Sequence, residues 1–257
     1  MLVLAIETSN PSSAQTRAPA VAVGRLEPGV FDPNPTVLGS AVVEKRSRHD
    51  DGLMPAIDRA CRDAGVQPHE LRRVAVSIGP GGFTAIRIAV TTAKTIAQVV
   101  GADTVAVPTT QAVALAHAAH EADAAAADAD GSRLLVALAW KRDTVWRACF
   151  DCADDEPPRG VVEGLVDSDS LADELRRGAL GSHENTSADP PTLVADPRFV
   201  ATLPAAALER VRVASPRFDA RAVLALAAVL EPISPAALLP LYPREPEAVS
   251  KWRELRS

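Results

Sequence analysis

Aromatic side chains are scarce in this chain: five Phe, three Trp and one Tyr among 257 residues. A core built without them must close on small aliphatic side chains, so close packing of helices and strands is expected. Cysteine is scarce too, and its odd count of three argues against a disulfide framework. No apolar run is long enough to span a bilayer. The N-terminus, Met1-Leu2-Val3-Leu4-Ala5-Ile6-Glu7, has neither the basic start nor the cleavage site of a signal peptide. A cytoplasmic setting with no membrane contact is therefore expected. Positive charge is in deficit, 27 Lys and Arg against 33 Asp and Glu, net −6. That excludes a surface basic all over, and any contact with tRNA or another nucleic acid is expected to be indirect or local.

What is present is strand–helix patterning. Residues 2–6, 20–26 and 36–45 read as three successive strands, an antiparallel meander. Residues 10–19, rich in Ser, Pro and Gln, read as the loop after the first, and 29–35 as a turn. Asp51 and Pro55 mark a helix start, and Leu53, Met54, Ile57, Ala60, Cys61 and Ala64 recur at helical spacing up to Gly65. Strand 73–78, helix 84–100 with Ala85, Ala89, Ala93 and Ala97 every fourth residue, and strand 104–107 follow. The order is βββαβαβ, a mixed sheet with helices on it. A helix from Gln111 degrades into the Ala/Asp run 121–131, the expected boundary between lobes at 1–115 and 116–257. Beyond it a hairpin is expected at 134–139 and 144–150, strands at 161–166 and 192–195, and helices at 170–177 and 219–230. Residues 182–191 read as an exposed loop and 232–257 as a proline-punctuated tail, with a C-terminal helix or tail packing back on the first lobe. No internal repeat stands out.

The most informative stretch is Ser77-Ile78-Gly79-Pro80-Gly81-Gly82-Phe83-Thr84-Ala85-Ile86-Arg87. Glycines at 79, 81 and 82 let the backbone turn sharply and approach a neighbour. The turn opens into a helix N-terminus, whose free N–H groups suit an anion. Read alone, Glu7, Thr8, Ser9, Gly79, Gly81, Gly82 and Thr84 make a nucleotide or anion loop. Its companions are missing from the sequence. No second glycine-rich motif of the Asp-Gly-Gly type appears, and Ala85-Ile86-Arg87 stands where a Walker loop would have Gly-Lys-Ser/Thr.

Several pieces together resemble one family. They are Leu4-Ala5-Ile6-Glu7-Thr8-Ser9, Arg48-His49 before Leu53-Met54-Pro55, the 79–87 turn, Ala93-Lys94, and the tail from Pro240-Leu241-Tyr242-Pro243-Arg244 to Glu245-Pro246-Glu247-Ala248-Val249. The chain resembles the TsaB (YeaZ) family, accessory subunits in making the threonylcarbamoyl modification of the tRNA adenosine next to the anticodon. The resemblance implies an actin-like, ribonuclease-H-like (ASKHA) α/β fold in two lobes and a protein without catalysis of its own. It implies a degenerate relative of the catalytic subunit TsaD that binds a TsaD-like partner through its N-terminal helices and works with a TsaE-like ATPase. No cofactor is expected in the isolated chain, with ATP or ADP entering only in the complex. A homodimer through the same helices is the expected alternative when the chain is alone. The sequence departs from the family pattern at Glu7, where many relatives have Asp, at Gly82 and Ala85, which replace Ser and Gly, and through 139–146. The loop 10–19 reads as an insertion.

Other chemistry fares less well. His117 and His120 share a helical face, but no third ligand is evident, and Glu121 points elsewhere. His49 reads as a local hydrogen bonder. Cys149-Phe150-Asp151-Cys152 has redox spacing but lies at a strand end, with Cys61 on a core helix. No Gly-x-Ser-x-Gly elbow supports a protease. No catalytic or metal residue is therefore expected. A partner interface is expected at Leu53, Met54, Ile57, Cys61, Phe83, Ile86, Arg87 and Val90, although periodicity cannot separate interface from core. The competing reading is an actin-like ATPase or small-molecule kinase using Glu7 and the 79–84 turn.

Overall fold

The computed structural model describes residues 1–9, 20–43, 52–124, 133–153, 155–178, 190–244 and Trp252. The expected loop at 10–19, His49, Asp51 and the end of the tail lie outside them.

The first sheet begins with the expected meander, Leu2–Ile6 (β1), Val21–Arg25 (β2) and Thr36–Ala41 (β3). Helix Leu53–Asp63 (α1) leads to Arg73–Gly79 (β4), and helix Phe83–Val100 (α2) leads to Asp103–Pro108 (β5). The strand order is β3-β2-β1-β4-β5, with β1, β4 and β5 parallel. Their carboxyl ends therefore lie side by side, where open α/β sheets bind ligands. α2 starts at Gly82 and stops at Gly101, whose φ of 70° gives the left-handed cap that a side-chain-bearing residue resists. At α1 the N-cap is Gly52, which makes no side-chain capping bond.

Helix Thr109–Ala124 (α3) crosses to the second sheet, made of Arg133–Lys141 (β6), Thr144–Ala153 (β7), Glu156–Asp167 (β8), Thr192–Ala195 (β9) and Arg212–Ala214 (β10). Its order is β10-β9-β6-β7-β8, again a three-stranded antiparallel meander followed by two parallel strands. Helix Ser168–Arg177 (α4) follows the meander, and the four-residue helices Pro197–Val200 (α5) and Ala205–Leu208 (α6) precede β10. The expectation of no repeat is thus corrected: βββαβαβ occurs twice. The copies differ most in their helices, so no common sequence period survives. Helix Ala220–Leu226 (α7) ends the series, shorter than the 219–230 expected.

Four apolar layers result. Outside the first sheet, Leu4, Ile6, Val74 and Val76 meet α1 and α2. On its inner face, Val3, Ala5, Ala75 and Val105 meet α7 together with Ala112 and Leu115 of α3. The inner face of the second sheet, with Leu134, Val136, Ala148 and Phe150, meets Val113 and Ala114 of α3. Its outer face packs Leu135, Ala137 and Cys149 on Leu171 and Leu175 of α4. α7 follows the second sheet and packs on the first, whereas α3 follows the first sheet and lies between the two, touching both.

Several expected elements needed adjustment. β8 runs longer than 161–166 and contains Pro157 and Pro158, which it tolerates as an edge strand. α5, α6 and β10 were not foreseen, since three or four residues carry no readable period. Within the expected loop at 182–191, only its last two residues are described, and Pro191 is buried rather than exposed.

Candidate functional site

The carboxyl ends of β1, β4 and β5 gather the residues of the expected anion loop. Glu7 is buried at 3% exposure, and its Oε1 accepts from the Ser9 amide at 2.7 Å and the Ser9 hydroxyl at 2.6 Å. Burial pushes its carboxyl above the ordinary 4.5, against the lowering effect of the Ser9 bonds and the Ser77 hydroxyl, and nearby Asp219 adds to the rise. Glu7 Oε2, Thr8 Oγ1 and Thr110 Oγ1 are buried with no hydrogen-bond partner.

The glycines of the turn are used by the protein's own backbone. A Cβ on Gly81 would lie 2.4 Å from the Ser9 carbonyl oxygen, and the Gly82 amide donates to that same oxygen at 2.6 Å. Gly79, at φ 119°, donates its N–H to Thr109 Oγ1 at 3.1 Å. A Cβ there would meet the Leu241 carbonyl oxygen at 2.6 Å, because the Leu241 amide donates to the Ile78 carbonyl at 2.8 Å. The loop after β1 and the C-terminal segment thus press against the turn from two directions.

The expected interface residues divide. Leu53, Ile57, Cys61, Ile86 and Val90 are each 6% exposed or less and belong to the outer core of the first sheet. They are core residues, because α1 and α2 turn these positions onto β1 and β4. The stripe Ala89, Ala93 and Ala97 faces the same way. Met54 and Phe83, each 50% exposed, and Arg87 remain at the surface. The Phe83 ring lies 5.0 Å from that of Tyr242, centroid to centroid, and the Arg87 guanidinium carbon sits 5.2 Å from its centroid. Thr84 is exposed beside them.

The remaining candidates form no cluster of their own among the described residues. His117 is buried, which lowers its pKa, and His120 Nε2 lies 2.7 Å from Arg217 Nη2. Among the described residues no three His, Cys, Asp or Glu could together hold a metal. Cys149 and Cys152 occupy opposite faces of the second sheet, one among the α4 contacts and the other among those of α3. Burial pushes their thiols up to about 11 and about 12, far from thiolate at neutral pH. Burial also raises Cys61.

Sequence reasoning missed Thr109, Asp219 and Arg244. Asp219 caps α7, accepting from the Arg221 amide at 2.9 Å, and lies close enough to act on Glu7. An acid just before an alanine-rich helix was its one readable signal.

This twofold βββαβαβ architecture is an actin-like, ribonuclease-H-like fold. YeaZ from Pseudomonas aeruginosa has a similar structure, with a TM-score of 0.67 at 20% identity over 94% of this chain and 99% of that one. So does an uncharacterized protein similar to peptidase YEAZ from Pseudomonas aeruginosa, at 0.67, 22% identity, 95% and 99%. In sequence, the family model "TsaD: tRNA N6-adenosine threonylcarbamoyltransferase" matches residues 40–154. The tRNA threonylcarbamoyladenosine biosynthesis protein TsaB of Bacillus subtilis (strain 168) is 32% identical over 97 residues. That match covers 38% of this chain and only 36% of the relative. The sequence likeness to that TsaB is confined to this stretch, and the likeness to the two solved structures is one of fold.

Proposed function

We propose that the chain is a non-catalytic accessory subunit in transfer of a threonylcarbamoyl group to N6 of the tRNA adenosine adjacent to the anticodon. It binds a TsaD-like catalytic partner, with a TsaE-like ATPase acting on the complex. The family similarities motivate the pathway. The observation that carries the accessory role is the closed glycine turn: Ser9 and Leu241 fill the approaches to Gly81 and Gly79 that a phosphate would need. Glu7 beside it is buried, and burial raises its carboxyl above the ordinary range. The contact surface in this reading is the exposed end of α1 and α2, Met54, Phe83 and Arg87, widened by Tyr242. A half-exposed aromatic pair with an arginine has the composition of an interface anchor.

The test is association followed by activity. The purified chain and the TsaD-family protein of the same genome should co-elute, and together with TsaE and the threonylcarbamoyl-adenylate donor should modify tRNA. Failure of both sinks the reading. One observation favours a second reading, an ATPase or small-molecule kinase: the unpartnered Glu7 Oε2 at the carboxyl end of β1. Magnesium-dependent ATP turnover by the isolated chain, abolished in Glu7→Gln, would establish it instead.

A further inference from the structure

After α7 the chain returns along the first sheet as a strap. Thr104 and Ile233 exchange main-chain hydrogen bonds at 3.1 and 2.7 Å, which pairs the edge strand β5 at one position. Lys94 Nζ donates to the Ala236 carbonyl at 3.3 Å, and Leu238 is fully buried in the outer core. Leu241 then bonds Ile78 beside the glycine turn, and Tyr242 meets Phe83.

Two residues further on, Arg244 leaves the first sheet altogether. Its Nη1 donates to the Ala139 carbonyl at 2.8 Å, and its Nη2 donates to the Thr144 carbonyl at 2.6 Å. Thr144 Oγ1 accepts from Nη2 at 2.7 Å and from Nε at 3.0 Å. All these acceptors belong to the β6–β7 turn of the second sheet. In that turn Ala139 and Arg142 hold φ values of 55° and 58°, a left-handed backbone that side-chain-bearing residues resist unless something holds it. The planar guanidinium fork matches such a set of acceptors, whereas a lysine ammonium could not reach them from one position.

We propose that Arg244 is a positioning residue for the partner-binding surface. By gripping the β6–β7 turn it holds Tyr242 on Phe83, so the surface is built jointly by α2 and the C-terminal strap. This rests on the proposed accessory function and goes beyond it by naming what sets the surface. Tyr242 sits between two anchors, Leu241 on the first sheet and Arg244 on the second. Among the described residues the Leu241 amide ties the strap on one side of the ring and the Arg244 guanidinium ties it on the other. The arrangement also makes the surface sensitive to how the two sheets lie against each other.

Tyr242 is the chain's only tyrosine, so labelling with 3-fluorotyrosine gives one fluorine NMR resonance. In the full-length protein that resonance should carry the ring-current shift of Phe83. In Arg244→Ala it should move to the position of a free tyrosine with the far-UV circular dichroism unchanged. Arg244→Lys should move it partway, as should Thr144→Val, which removes only the hydroxyl contacts and serves if the alanine variant misfolds. Affinity for the TsaD-family partner should fall about tenfold in Arg244→Ala, the loss of one interface anchor, and should fall in Phe83→Ala as well. A resonance unmoved by Arg244→Ala overturns the proposal. So does a moved resonance with affinity intact in Arg244→Ala but lost in Phe83→Ala, an outcome that leaves the accessory function standing. If the wild-type chain does not bind the partner at all, the accessory function fails instead, and with it the surface that Arg244 would position.

Discussion

The two halves of this molecule repeat one topology and put it to different uses. In the first sheet, β4 runs into a glycine turn and an 18-residue helix, α2. In the second, β9 runs into Asp196-Pro197 and a four-residue helix, α5, capped by Asp196 accepting from the Arg198 amide at 2.8 Å. After β1 the chain places the buried acid Glu7; at the end of β6 come Ala139, Trp140 and Lys141, and the turn there is held by Arg244. In the first half, Ser9 and Leu241 occupy the space that side chains at Gly81 and Gly79 would need.

The comparison is most easily broken at Gly81. Gly81→Val should place side-chain atoms on the Ser9 carbonyl and cost about 3 kcal/mol or more in urea denaturation. A cost near zero would mean the turn is open rather than filled. Next in size, Ile86→Ala on the buried side of α2 should cost about 2–5 kcal/mol. Phe83→Ala, one turn away and half-exposed, should leave stability within about 1 kcal/mol while weakening partner binding. Equal effects of the two on stability would erase the division of α2 into core and contact faces. Asp196→Ala tests the second half, where a cap replaces the glycine turn, and about 1 kcal/mol is expected by thermal or chemical unfolding.

The last change has the opposite sign. Glu7 has a folded pKa above its unfolded value, so the folded protein holds its proton more tightly. That contribution is fully present below about pH 4.5 and is lost as pH rises through the raised folded value. Glu7→Gln should therefore be more stable than wild type at neutral pH and should lack this part of the decline above 4.5. A variant less stable than wild type at pH 7 would show that the carboxylate is needed where it lies.

Much of the first sheet was legible because its signals are local. β1 matches the expected strand end for end, since a short apolar run closed by Glu7-Thr8-Ser9 has one reading. α2 was bounded by Gly82 and Gly101, and β9 by flanking prolines and Asp196. The candidate interface was half legible. Helical spacing located the apolar stripes of α1 and α2 but gave no direction, so Leu53, Ile57, Cys61, Ile86 and Val90 read the same as Met54 and Phe83. The twofold topology was not legible, because an 18-residue helix and a pair of four-residue helices share no period.

By itself the sequence determined the longer elements and the glycine turn, because each depends on residues within a few positions of one another. Only the tertiary structure decided what fills the turn, which helix face is buried, and where the strap is tied. Those answers rest on contacts between distant segments, such as Arg244 with Thr144 one hundred residues away, Gly79 with Leu241, and Glu7 with Asp219. Close approach and desolvation arise only when the chain has closed on itself, so no local pattern records them.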